Sequence, residues 1–407
     1  MTDRPRLLVI SPTYPWPLYA GGHQRIYHLL RELSGRFQIT FASLSPLPAE
    51  DGKGGTGLEF VDTVIRIPIS QHRGSQVARL ALHLPLWLLG RPAEVIVKRS
   101  ARMRKALAAV LESQRFDCIQ VEYTQCMDYL DLLLKYSSAP RVLVAHDISY
   151  ISQRRKGEVS HGWRAWFWRR EARLMRRYEE RGWRRFSRII TMSETDRAHI
   201  LETLPQAQVD VVPNGVDVRS VQVRAEGPEP VIVFVGWMRH LPNADAVQWF
   251  FQEIWPLIRK RNPKVRFVIA GKQLPAAIQA ALKSDSRVEY LGFVEDIQAL
   301  VGAAWISLVP IRVGSGTRLK ILESMALGTP VVSTSVGCEG IQADHGQALC
   351  IGDSPQQFAE QVLDLLQDSE RRRALAQAGR SLVEAQYAWH RIGQAACAVI
   401  DQAIGDG

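Results

Sequence analysis

Five cysteines in 407 residues, with no CxxC pair among them, are too few and too scattered for a disulfide framework or a zinc site. Cys118, Cys126, Cys338, Cys350 and Cys397 instead fit buried thiols in a reducing compartment, so the expected location is the cytoplasm. A membrane span is also lacking. The most apolar run, residues 80–90 (LALHLPLWLLG), has 11 residues and contains His83 and Pro85, whereas a span needs about 20. The amino-terminal stretch MTDRPRLLVISPTYP has no signal-peptide pattern and runs directly into a strand-like segment. The composition, 46% hydrophobic and 23% charged, carries no mark of disorder, collagen or coiled coil. What remains is a globular chain with room for two or three domains. Its formal charge of +10 favours acidic partners: phosphates, nucleic acid or an anionic membrane face.

Two stretches read as the starts of separate α/β units. In the first, residues 6–11 form a short, continuously apolar strand of the kind covered on both faces in a parallel sheet. A Pro- and Gly-rich loop follows over 12–22. Ile26, Leu29, Leu30 and Leu33 then recur at helical spacing, and 37–43 is a second strand. The pattern restarts with a strand at 231–235, a loop at 236–243, a helix face made by Ala246, Trp249, Phe250, Ile254, Leu257 and Ile258, and a strand at 265–270. Further strands are expected at 288–292, 304–309, 329–334 and 348–351, with amphipathic helices at 356–366, 371–384 and 388–404. The expected organisation is α/β, with two doubly wound parallel-sheet domains in tandem. The polar stretch 219–230, with Gly227, Pro228 and Pro230, reads as the linker between them.

Four constellations can carry chemistry. The loop after the first strand lacks the GxGxxG of a nicotinamide-binding unit and offers Gly21-Gly22 before a helix starting near His23. The pair makes a tight turn, or it lets an anion approach backbone N–H groups. His146-Asp147 stands at the carboxyl end of the strand 142–145, where open α/β sheets collect ligands. A histidine there is a structural hydrogen-bonder, a sugar or phosphate ligand, or a proton carrier.

The third constellation is Gly314-Ser315-Gly316-Thr317. It precedes a helix with Leu319, Leu322, Met325 and Ala326 on one side, and Thr317 is the expected N-cap. Arg318 and Lys320 place two cations in the first turn, where each opposes the helix dipole by about 0.3–1 kcal/mol. An anion between them, such as a diphosphate, would account for that. Glu323, one turn on, suits the two hydroxyls of a ribose. The fourth is 154–188, with twelve Arg and one Lys against four Glu, a local excess of +9 interleaved with Trp163, Trp166, Phe167, Trp168, Trp183 and Phe186. It reads as an interfacial membrane helix or polyanion site, or as a solvated helix whose aromatic stripe (Trp163, Phe167, Leu174, Tyr178) faces the core. Arg154, Arg155, Trp163, Arg169 and Arg170 are its candidates for contact with an acceptor or a membrane. It has no known nucleic-acid reader motif, so no nucleic acid is expected as a partner.

Taken together, Gly21-Gly22, His146-Asp147, residues 190–194, VPNGVDV at 212–218, FVGWMRHLPN at 234–243 and residues 314–332 resemble the family-4 glycosyltransferases over essentially the full chain. The resemblance implies a GT-B fold, two Rossmann-like domains facing across a cleft. Their bounds would be 1–218 for an acceptor domain and 231–386 for a donor domain, with a terminal helix, about 387–407, crossing back to the first. It implies retaining transfer of a sugar from a nucleoside-diphosphate sugar to a glycan or lipid-linked acceptor. His146, Arg318 and Lys320 would be catalytic. Gly21, Gly22, Gly236, Arg239, Ser315, Gly316, Thr317 and Glu323 would bind the donor, with Gly22 at the diphosphate and Glu323 on the ribose. Ser315 stands where the family's first paired glutamate would meet the donor sugar, and the basic residues after Gly236 are not in the usual spacing. The cationic role therefore falls to Arg318 and Lys320. No DxD triplet occurs in the chain, so neither a metal nor a cofactor is expected. A cytoplasmic enzyme, or one peripheral on the inner membrane face, would suit envelope polysaccharide or glycoconjugate synthesis. The alternative is a non-catalytic nucleotide-sugar or polyanion binder on the same fold.

Overall fold

A computed structural model describes residues 4–18, 20–45, 57–69, 84–314 and 317–406. The chain divides into two compact units, one of residues 1–213 with 390–407 and one of residues 214–389. Among the described residues the first holds a seven-stranded sheet: β1 (Arg6–Ser11), β2 (Gln38–Ser45), β3 (Thr63–Pro68), β4 (Cys118–Glu122), β5 (Arg141–Ala145), β6 (Arg188–Thr191) and β7 (Val209–Val211), ordered β3-β2-β1-β4-β5-β6-β7. The second holds six: β8 (Val231–Val235), β9 (Arg266–Ala270), β10 (Val288–Gly292), β11 (Ile306–Val309), β12 (Val331–Ser333) and β13 (Cys350–Ile351), ordered β10-β9-β8-β11-β12-β13. Every pairing is parallel. Strands such as β1, with Leu7, Leu8, Val9 and Ile10 all buried, are the apolar runs that a sheet covered on both faces requires.

In each sheet the strand order reverses once, between β1 and β4 in the first unit and between β8 and β11 in the second. Crevices at the carboxyl ends of such strands are where open α/β sheets bind ligands. Gly21 and Tyr123 follow β1 and β4; Gly236 and Gly314 follow β8 and β11.

Residues 219–230 are packed onto the second unit and are not a free linker. Trp305 Nε1 donates to the Gly227 carbonyl at 2.7 Å, and Arg372 grips both oxygens of Glu226 at 2.8 and 2.9 Å. The last helix, Trp389–Gly405, belongs from His390 onward to the first unit. Gly393 lies so close to the helix Gly21–Ser34 that a Cβ there would sit 2.3 Å from that of Glu32, and Arg36 pairs with Asp401 at 3.3 Å. Ala396, Ile400 and Ala403 are its buried stripe, at i, i+4, i+7 spacing.

Candidate functional site

In the second unit the site grows from the end of β8. Gly236 leaves room for Asn243, whose Cγ would stand 2.8 Å from a Cβ at that position. Asn243 donates through Nδ2 to the Trp237 carbonyl at 2.9 Å, which aims its Oδ1 at Lys320 Nζ, also 2.9 Å away. The ammonium lies 4.4 Å from the centroid of the Phe234 ring. Burial, and secondarily the nearby Arg318 charge, pull the Lys320 pKa down to about 7, with Glu323 acting in the opposite direction. A cation held this far from water gains from an arriving anion.

The helix carrying Lys320 runs Leu319–Ala326 with Arg318 as its N-cap, and no side chain caps it. This corrects the expectation for Thr317, which is buried and contributes its backbone carbonyl as an acceptor for Asn214 Nδ2 at 3.3 Å. The helix begins later than the Gly-Ser-Gly-Thr run suggests because Arg318 has an extended backbone, φ −87° and ψ 103°. Lys320 is then the second helical residue and Arg318 stands just outside the first turn. Gly314, at φ +123°, makes way for the Arg318 guanidinium, whose Nη2 a Cβ would meet at 2.6 Å. Glu323 sits partly exposed on the same helix. Arg239 is exposed after the strand end, while Ser315 and Gly316 lie outside the described residues.

In the first unit, the expected helix start near His23 moves to Gly21, with Ala20 as N-cap and no side-chain cap, so both glycines fall in the first turn. N–H groups there have no acceptor within the helix. Gly22 also has a second reason to lack a side chain: a Cβ would lie 1.9 Å from the Tyr123 hydroxyl. Tyr123 itself has φ +64° and stacks on His146 with ring centroids 3.6 Å apart and planes 7° from parallel. Gly22→Ala should therefore cost about 1–3 kcal/mol, and adding Tyr123→Phe should recover most of it. Thermal unfolding of the single and double variants checks this; a single variant as stable as the parent would show that the hydroxyl does not dictate the glycine.

His146 follows β5. Its Nε2 lies 2.5 Å from Glu122 Oε2, while Gln120 Nε2 donates to the other carboxylate oxygen. Burial lowers the imidazole pKa, against the raising effect of Glu122, so the ring is neutral at pH 7 and donates Nε2–H to the carboxylate. Arg25 is fully buried beneath this group, donates to the Val212 and Pro213 carbonyls at 2.8 and 2.7 Å, and has its pKa lowered to about 10 by burial. Glu179 anchors the loop beyond His146, accepting from the Ser149 and Tyr150 backbone N–H groups at 3.0 Å each. Glu122, Tyr123, Arg25, Asn214 and Asn243 were not singled out from sequence. The available signals were an acid ending the buried strand β4 and an Asn following Pro242.

The basic helix Gly162–Trp183 departs from expectation. Its buried face holds Ala165, Glu171, Ala172, Met175, Glu179, Gly182 and Trp183; of the expected aromatic stripe Phe167, Leu174 and Tyr178 are half-buried, while Trp163 is exposed. The acids turn inward because they have partners there. Glu171 accepts from Trp87 Nε1 and the Ala93 backbone, as Glu179 does from the 149–150 backbone. Arg154 is exposed, 3.8 Å from Glu158. Arg155 is half-buried, Arg169 is exposed, and Arg170 stacks on the Trp87 ring at 3.7 Å, which commits it to internal packing.

Among the described residues, no group of three or more His, Cys, Asp or Glu side chains could hold a metal ion, and no helix is long and apolar enough to cross a membrane. No described cysteine is in a disulfide.

Comparison with known proteins bears on both units. Residues 19–220 match the family described as Glycosyltransferase Family 4, and residues 229–368 the family described as Glycosyl transferases group 1. An uncharacterized 44.6 kDa protein in the cps region of Klebsiella pneumoniae is 26% identical over 163 residues, 38% of this chain and 42% of that protein. A GDP-mannose-dependent monoacylated alpha-(1-6)-phosphatidylinositol monomannoside mannosyltransferase of Corynebacterium glutamicum is 27% identical over 150 residues, 34% of this chain and 39% of that protein. Each match thus spans about two fifths of the relative's length. Among solved structures, sucrose-phosphate synthase from Thermosynechococcus elongatus superposes with a TM-score of 0.76 at 15% identity, covering 99% of this chain and 100% of the other. Anabaena HepE in complex with UDP and glucose gives 0.67 at 14% identity, with 98% and 100% covered. Two parallel-sheet units of this architecture give the chain the GT-B fold, and each carries a match to a glycosyltransferase family.

Proposed function

We propose that the chain is a retaining, metal-independent glycosyltransferase that takes a sugar from a nucleoside-diphosphate sugar and passes it to a glycan or lipid-linked acceptor, in a cytoplasmic setting and in the service of envelope polysaccharide or glycoconjugate synthesis. One observation carries the reading: Lys320 is an ammonium withdrawn from water at the switch point of the second sheet, held in place by Asn243 and beside a second cation, Arg318. In this role Lys320 and Arg318 bind the donor diphosphate and Glu323 the ribose. Breaking the anomeric bond loads negative charge onto the diphosphate, and fixed cations stabilise that charge more in the transition state than in the ground state. No side chain is assigned as a nucleophile, so the leaving phosphate serves as base and the acceptor oxygen arrives on the face it vacates. His146, neutral and bonded to Glu122, is assigned to the transferred sugar.

The test is direct. The purified chain, given UDP-, GDP-, ADP- and TDP-sugars with glycan and lipid-linked acceptors in the presence of EDTA, should release a nucleoside diphosphate with one of them and form an anomer of unchanged configuration. Tight binding of a nucleotide sugar with no turnover on any acceptor would favour a non-catalytic binding protein instead.

A pH dependence follows. Free Lys320 titrates near 7, and a bound diphosphate raises that value by stabilising the ammonium. Nucleotide-sugar affinity should be flat below pH 7 and fall about tenfold per unit above it until the bound-state pKa is reached. The diphosphate of a nucleotide sugar stays ionised throughout, so calorimetry at pH 6.5, 7.5 and 8.5 reads the lysine. A flat profile, or one unchanged by Lys320→Met, would place the diphosphate elsewhere.

A further inference from the structure

We infer that the outward face of the helix Gly162–Trp183, together with residues 84–90, is a docking surface for an anionic lipid bilayer. Residues 84–90 lie along this helix: Trp87 packs against Trp166 and Phe167 with centroids 6.3 and 6.1 Å apart, Arg170 stacks on Trp87, and a Cβ at Gly90 would touch Leu174. The contact turns Trp87 inward and leaves its neighbours outside. Leu88 is 64% exposed and Leu89 81%, and on the helix Trp166, whose ring meets Trp87, is 57% exposed and Trp163 73%. Large apolar side chains exposed together in this way are seldom left to water.

The same helix supplies the charge. Trp163, Trp166, Arg169, Arg173, Arg177 and Arg181 follow one another at spacings of three and four and are all exposed, so they form one stripe. Its two inward acids, Glu171 and Glu179, are buried among donors and leave the stripe almost purely cationic. Among the described residues Arg164, Arg169, Arg173, Arg177 and Arg181 have no ion-pair partner; Arg176, which pairs with Glu180 at 2.7 Å, is the outward arginine that does.

A soluble polyanion would satisfy the arginines but would leave Leu88, Leu89 and the two tryptophans in water. A bilayer interface takes both, headgroup phosphates on the guanidinium stripe and the leucines and indoles at the acyl boundary. The helix lies in the interface plane and does not insert across it. This surface needs no donor or acceptor chemistry, so its test stands apart from that of the proposed activity.

Flotation of the full chain with vesicles of phosphatidylcholine alone, or with 30% phosphatidylglycerol, is the experiment. Binding should be at least tenfold stronger to the anionic vesicles and fall steeply between 0.1 and 0.5 M salt. Arg169→Gln with Arg173→Gln should weaken it roughly 30-fold, at about 1 kcal/mol for each charge. Leu88→Ser with Leu89→Ser, both at exposed positions, should weaken it at least tenfold with an unchanged melting temperature. Equal partition onto the two vesicles overturns the inference. So does loss with the arginine variants but none with the leucine variants, combined with full competition by soluble polyphosphate, because that pattern marks a purely electrostatic polyanion site.

Discussion

Replacing Lys320 by alanine should lower nucleotide-sugar turnover by about 100- to 1,000-fold, the range for removing one preorganised charge from a developing anion. The size of the effect comes from the setting. An ammonium fixed by Asn243 at 2.9 Å does not reorganise as the anomeric bond breaks, and its partial withdrawal from water strengthens its field at the diphosphate. That same withdrawal is unfavourable to the empty protein, as the low pKa shows. The melting temperature of the ligand-free variant should therefore hold steady or rise, while stabilisation by added nucleoside diphosphate should largely vanish. A variant that turned over within threefold of the parent would remove Lys320 from the donor site. One that lost its melting transition would assign it a structural role.

The second large effect is expected at His146. Alanine there should cost about 100-fold in kcat with donor affinity little changed if, as proposed, the imidazole–carboxylate pair acts on the sugar and not on the nucleotide. Glu122→Gln should cost about tenfold. Its informative readout is the pH profile: the carboxylate raises the His146 pKa against the lowering effect of burial, so its neutralisation should move the acidic limb of kcat/KM to lower pH. An unshifted limb would mean that Glu122 only fills space beside the ring.

β1, β2, β5 and the strands of the second unit were readable in the sequence, several of them because a parallel sheet covered on both faces leaves short apolar runs bounded by Pro, Gly and Asn. β1 and β8 show this with little ambiguity; β3, β4, β6 and β7 were not singled out. Of the two readings of the basic helix, the core-facing aromatic stripe places Trp163 on the wrong side for a physical reason. Arginines surround it so densely that hydrophobic period carries no phase, and its inward face mixes Ala, Gly, Met175 and Trp183 with two glutamates, whose donors lie 29 to 84 residues away in sequence. The Glu122–His146 pair was equally hidden. Nothing local to β4 and β5 says that they are neighbours in one sheet, and only that pairing brings the acid beside the ring. At Lys320 the charge was legible, but Asn243, which aims the ammonium, lies 77 positions away and enters through the fold. Thr317 has the chemistry of a cap, yet the helix starts one residue further on, a shift that the adjoining Arg318 backbone decides.

The return of residues 390–407 to the first unit has a consequence for how the protein is made. A nascent chain emerging from the ribosome completes its second unit before the first can close, because the helix that lies against residues 21–34 is translated after that unit. The amino-terminal lobe must wait as an unfinished intermediate through some 175 further residues of synthesis. A premature stop near residue 389 would therefore strike the opposite lobe from the one in which it falls.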